Sequence, residues 1–216
     1  MFQDGNYKEA YEGFRGLALD PKDDVRQAGE DLRMAVQCLQ QLNRVDETDA
    51  MIEAAVAIHK NNWRLLWAAA RQYMELPHHG FLIAGKFQRG DHRGGGQVVN
   101  ASDRDRVRAL QLMAQALPLA KQEPNHAEVG DFLLSLADIL LNNNGFAESW
   151  RLQYLTNLDQ LPDYEPGWGS WRESPGAPVD ADVWGRESPS GSTTRRTTSP
   201  AQSSPSRRSA GRTSRR

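Results

Sequence analysis

Between Tyr7 and Leu158 apolar residues recur mostly at three- and four-residue steps, the spacing that lays one stripe along an α-helix. Pro21-Lys22-Asp23-Asp24 is a start signal, with carboxylates suited to a helix N-terminus. Val25, Ala28, Leu32, Ala35, Val36, Leu39 and Leu42 then form one stripe, and Asn43 to Asp46 make a short turn. Ile52, Ala55, Val56 and Ile58 line a second helix that ends near Asn62, and Trp63, Leu66, Trp67, Ala70 and Tyr73 line a third. After Leu76-Pro77 the regularity lapses. Gly80 to Gly85 reads as a short helix, and residues 88–101, with four glycines and no period, read as an exposed inserted loop. Ser102 followed by Asp105 resembles a capping box, with Asp in place of the usual Glu or Gln. Val107, Leu110, Met113, Ala114 and Leu117 continue that helix until Pro118 disturbs it. A last hairpin runs from His126 to Leu158 and turns at Asn142 to Gly145. The expectation is an all-α array of antiparallel helix hairpins over residues 1–161, a turn-rich linker over 162–185 and a disordered tail over 186–216.

Gly5, Tyr7, Ala10 and Phe14, closed by Pro21, stand at the spacing G-x-Y-x-x-A-x-x-x-F. This pattern resembles the second helix of a tetratricopeptide repeat, where a small residue lets two helices cross and aromatics fill the gap beside it. Trp63 and Trp67 resemble the start of a first helix, although the second Trp stands where a smaller residue is usual. Such rings either stack a ligand or pack one repeat on the next, and packing is the commoner use. Phe146-Ala147-Glu148-Ser149 echoes Tyr7-Lys8-Glu9-Ala10, with Ser149 as the small residue. The resemblance implies an α-solenoid. The sequence opens at the turn of such a unit, which reads as a fragment of something longer and leaves an apolar face around Tyr7 and Phe14 uncovered.

Composition divides the chain in two. The 216 residues carry a net charge of −2, with 38% hydrophobic residues. Residues 186–216 hold eight Arg against one Glu and only eight residue types, which leaves 18 basic and 27 acidic side chains before them, a net of −9. An acidic body argues against a nucleic-acid surface on the folded part. The tail keeps two readings: a shifted reading frame after about Asp182, or a disordered RNA-binding polyelectrolyte. One cysteine, Cys38, excludes an intrachain disulfide framework and reads as a buried thiol. No apolar run is long enough to span a membrane, and Met1 to Asp4 do not open a signal peptide.

Candidate chemistry is sparse. Gly80-x-x-x-x-Gly85-Lys86 matches most of a Walker A loop, but Phe87 stands where a magnesium-binding Ser or Thr is required and no strand reads before it. His78, His79, His92 and Asp91 lack the spacing of a metal-binding helix. The glycine-rich loop with Lys86, Arg89, His92 and Arg93 can contact an anion or a partner through guanidinium groups and backbone amides. No local signature marks a nucleophile or a catalytic acid–base pair, and no cofactor is implied.

Three segments, Gly80 to Phe87, His92 to Asn100 and Arg104 to Met113, together with Asp163-Tyr164 and Gly167-Trp168-Gly169, resemble the helical N-terminal region of very large bacterial alpha-macroglobulin-like proteins. The resemblance covers residues 1–182. It implies a piece of an envelope-associated protease trap, although Cys38-Leu39-Gln40-Gln41 lacks the Glu of a thioester Cys-x-Glu-Gln run. The expected function is therefore a protein–protein interaction scaffold, not an enzyme, with an unidentified protein partner. The rivals are RNA binding through the tail and an enzyme using the loop histidines and arginines.

Overall fold

The computed structural model describes residues 2–141 and 158–167. Among these residues six helices form the body: α1 (Tyr7–Ala18), α2 (Ala28–Gln41), α3 (Thr48–Ile58), α4 (Trp63–Glu75), α5 (Ser102–Ala120) and α6 (His126–Leu141). A 3-10 turn at Val45–Glu47 leads into α3. Four short strands, β1 (His79–Ile83), β2 (Lys86–Arg89), β3 (Gln97–Asn100) and β4 (Glu165–Pro166), make one antiparallel sheet in the order β2-β1-β3-β4.

The sheet corrects the all-α expectation. α4 begins a helix pair as its stripe predicts, but a hairpin follows it where a second helix would complete the pair. The segment expected as a short helix, Gly80 to Gly85, is mostly β1. Its last two residues form the two-residue turn to β2, with positive φ at both Ala84 (49°) and Gly85 (78°). The segment expected as an irregular loop over 88–101 contributes the end of β2 and all of β3. The Walker-like glycines and lysine thus belong to a strand, a tight turn and another strand, with no helix behind them to receive a phosphate.

The described helices follow most of the stripes, but α2 starts at Ala28 and not at the Pro21–Asp24 signal, which forms turns and leaves Val25 exposed. Local chemistry sets the other ends. α2 stops in a Schellman motif: Asn43 takes φ of 56°, and Asn43 N and Arg44 N donate to Gln40 O and Leu39 O at 3.0 and 2.9 Å. Asn62 caps α4 by accepting from Arg64 N and Leu65 N, while its amide donates to Val25 O at 2.8 Å. α5 has no capping box. Its N-cap is Ala101, Asn100 Oδ1 accepts from Ser102 N instead, and Asp105 turns away to a buried ion cluster. α5 also runs through Pro118 to Ala120.

One apolar core joins all six helices. α1 packs on α2, α2 on α4, α4 on α5, and α5 on α6. Gly29 lies at the α2–α4 crossing, where a Cβ would stand 3.1 Å from the Ala68 Cβ and 3.2 Å from Arg64 O. Small residues there let the two backbones approach. Trp63 and Trp67 stack at 6.0 Å and both meet Phe132 of α6 edge-on, so the pair binds α4 to α6. On α1, Ala10 and Tyr11 are buried, whereas Tyr7 and Phe14 are half-buried, Tyr7 edge-on to Phe2 at 5.3 Å. Gly5 takes φ of 80° in the turn before that helix. Arg106, buried on α5, donates to Ile139 O and Leu140 O in the last turn of α6. Among the described residues no helix is long and apolar enough to cross a membrane. Phe146, Ser149, the rest of the turn and second helix of the expected last hairpin, and the tail 186–216 lie outside the described residues.

Candidate functional site

The sheet lies against the N-terminal ends of α3 and α5, and Arg89 at the end of β2 is what ties them. Its side chain is only 2% exposed. Nη1 and Nη2 donate to the two oxygens of Asp105 at 2.7 and 2.8 Å, in a parallel fork. Nε and Nη2 donate to Asp49 at 3.1 and 2.8 Å, and Nη1 also donates to Pro77 O at 2.7 Å. All five N–H groups of the guanidinium are thereby engaged. Asp49 and Asp105 each sit in the first turn of a helix, where the backbone dipole favours a carboxylate. Burial works against the Arg89 charge, yet the bonds to Asp105 and Asp49 hold its pKa above the usual arginine range. His78 Nδ1 lies 2.7 Å from Asp105 Oδ2, which completes the cluster.

A second polar knot links three helices. Arg108 of α5 donates through Nε and Nη2 to the two oxygens of Glu53 of α3, both at 2.7 Å, and Tyr73 OH of α4 donates to Glu53 Oε1 at 2.7 Å. Burial drives the Tyr73 phenol pKa upward, with the Glu53 charge adding to it, so Tyr73 stays a neutral donor. For Glu53, burial pulls the pKa up, but the bonds from Arg108 and Tyr73 outweigh it and the net shift is downward. Folding therefore favours the ionised form. That contribution is complete above the unfolded Glu pKa of about 4.3 and is lost as pH falls through the depressed folded value. Glu53→Gln is expected to destabilise the chain at neutral pH, and the two denaturation curves should converge below about pH 4. A constant gap from pH 7 to pH 3 would contradict this.

Between these two knots lies a cleft of about 520 Å³, within the ~300–1,000 Å³ range of ligand sites. Asp49, Glu53 and Tyr73 form one wall; Phe87 and Arg89 of the sheet and Arg104 and Arg108 of α5 form others. Leu161 and Tyr164 close a side from the segment 158–167, which returns along α5 to the sheet. Gln111 donates to Leu158 O at 2.7 Å and Arg104 to Pro162 O at 2.8 Å, fixing that segment by its carbonyls. Tyr164 stacks on Phe87 with centroids 4.6 Å apart, and Arg104 lies over the Tyr164 ring at 4.7 Å.

The residues proposed from sequence separate. Lys86 is exposed and lines the cleft, but Arg89 is sunk in its ion cluster and is no surface anion contact. Arg93 is exposed, and the half-buried His92 ring lies 5.9 Å from Phe81. His78 and His79 turn to different carboxylates, Asp105 and Asp91. Sequence reading missed Asp49, Glu53, Phe87, Arg104, Arg108 and Tyr164 as site residues. The one available signal was the alternation in Arg104-Asp105-Arg106-Val107-Arg108. On a helix it puts residues 104, 105 and 108 on one face and 106 on another. Comparison with protein-family models, with curated proteins and with solved structures finds no match for this chain.

Proposed function

We propose that this chain is a protein–protein interaction scaffold that holds a segment of a partner in the cleft between the sheet, α3, α4 and α5. The observation that carries this reading is the make-up of the cleft. Its carboxylates are bound to Arg89 and Arg108 in fixed pairs, and its open walls are aromatic rings and the side chain of Arg104, which already donates to a backbone carbonyl. Groups locked in pairs hold shape and recognise a chain; they do not move protons. The resemblance that the motifs of residues 80–113 carry to the helical region of bacterial alpha-macroglobulin-like proteins would imply a scaffold and not the trap itself. Cys38 is buried inside α2, and burial pushes its thiol pKa up, the reverse of an activated sulfur. The rival RNA reading rests on residues 186–216, outside the described residues.

A photo-crosslinking amino acid placed at Lys86, on the cleft, is expected to give discrete adducts in the source cells that protease removes and nuclease does not. The same group at Lys121, exposed at the far end of α5, serves as control. Adducts equal at both positions, or adducts sensitive to nuclease, would sink the interaction reading.

A further inference from the structure

We infer that the segment 161–167 is a built-in ligand, seated in a peptide slot whose external occupant is an extended stretch with an aromatic residue between acidic ones. This rests on the interaction reading above and names the kind of partner.

The slot is a layered stack. Arg104 lies over Tyr164 at 4.7 Å, Tyr164 lies on Phe87 at 4.6 Å and 20°, and Arg89 lies over Phe87 at 5.3 Å. Phe87 already covers one face of the tyrosine, so the guanidinium of Arg104 takes the other. Such a sandwich accepts any flat ring and prefers one with an electron-rich face. Phe87 lies flat because Gly80 is beside it: a Cβ there would come 2.5 Å from the Phe87 ring. Arg89 is held in place, as all five of its N–H groups are engaged. The receiving side is thus fixed by a buried arginine and by the strand pairing of β1 with β2, whereas the inserted side is held at its edge by β4.

The hold on the inserted segment is of a kind any extended peptide could use. Arg104 and Gln111 donate to main-chain carbonyls of Pro162 and Leu158. β4 pairs with β3 over two residues only, Glu165 with Asn100 and Pro166 with Val99, followed by Gly167 N donating to Val98 O at 2.8 Å. Pro166 has no N–H to give the ladder. Strand addition to β3 with a ring in the slot is a recurrent way to capture an extended chain. In the receiving cleft Arg89 and Arg108 are matched by Asp49, Asp105 and Glu53, which leaves Lys86 and Arg104 as the cations with no carboxylate partner among the described residues. Beside a resident ring that Asp163 and Glu165 flank in sequence, that positive excess favours an acidic occupant over a basic one.

A tethered segment competes at an effective concentration near millimolar, so an external peptide is read best once the slot is vacated. The probe is a fluorescein-labelled peptide with the sequence of residues 158–167, followed by anisotropy against the full chain. Tyr164→Ala is expected to bind it saturably. The unaltered chain, the Tyr164→Ala/Arg104→Ala double variant and a probe with Ala for Tyr should each bind at least tenfold more weakly. A Tyr164→Ala chain with unchanged circular dichroism that binds neither probe, or both equally, overturns the inference. Should that variant not fold, the unaltered chain at millimolar probe should show faster proteolysis within 158–167 than with the Ala probe, and equal rates overturn it as well. Concentration-dependent pairing of Tyr164→Ala with unaltered chain would assign the slot to a second copy and overturn the external partner. Probe binding without photo-adducts at Lys86 removes the partner, while adducts without probe binding keep the interaction reading and discard this slot.

Discussion

Asp105→Ala is expected to lower the unfolding free energy by about 3–5 kcal/mol, the cost of leaving a buried arginine without its partner. Arg89 loses the carboxylate that takes both of its terminal nitrogens, and at 2% exposure water cannot replace it. Asp49, 32% exposed, remains bonded but takes only one side of the fork. Because the cluster joins β2 to the first turns of α3 and α5, the loss should spread over sheet and helices together. Urea denaturation followed at far-ultraviolet and tyrosine wavelengths would show one midpoint moved down with an unchanged slope. Arg89→Met with Asp105→Leu should recover most of the loss, since an apolar replacement of a buried pair is often near neutral. A single Asp105→Ala cost under about 1 kcal/mol would place this cluster among surface ion pairs, and the account of the site would fail.

The second large effect belongs to Gly80. A side chain there meets Gln88 O and the Phe87 ring, the first a backbone atom of the paired strand. Gly80→Val should therefore cost about 1–3 kcal/mol as overpacking and part β1 from β2. Phe87→Ala in the same chain relieves the ring clash but not the carbonyl clash, so rescue should be partial. The same substitution should displace Phe87 from under Tyr164, seen as a change in near-ultraviolet dichroism. A Gly80→Val chain with parental stability and spectrum would show that the hairpin register is other than Gly80 opposite Arg89.

The helices were legible because each buries one face against a neighbour over three turns or more, which is long enough for the 3.6-residue period to emerge from noise. The strands were not. β1, β2 and β3 are four or five residues long, glycines interrupt or flank them, and β1 has partial cover on both faces, so no clean alternation forms. The cleft was hidden for a different reason. Arg89 finds Asp105 16 residues away and Asp49 40 away, while Arg108 finds Glu53 across 55. Charges paired over such spans look in sequence like ordinary solvated residues. Asp105 was misread for the same cause: three residues after a serine it imitates a cap, yet a guanidinium from the sheet takes it.

The two-residue strand β4 also sets how the molecule answers to force. Tension drawn on the chain beyond Gly167 falls first on the Gly167–Val98 bond and then on the two pairs of β4, which open one at a time. Tyr164, the next residue along, would follow, its ring held by Phe87 and Arg104. Whatever the following chain is fastened to would therefore tug the stopper from the cleft at small loads, so the seat would be open while the chain is taut and closed while it is slack.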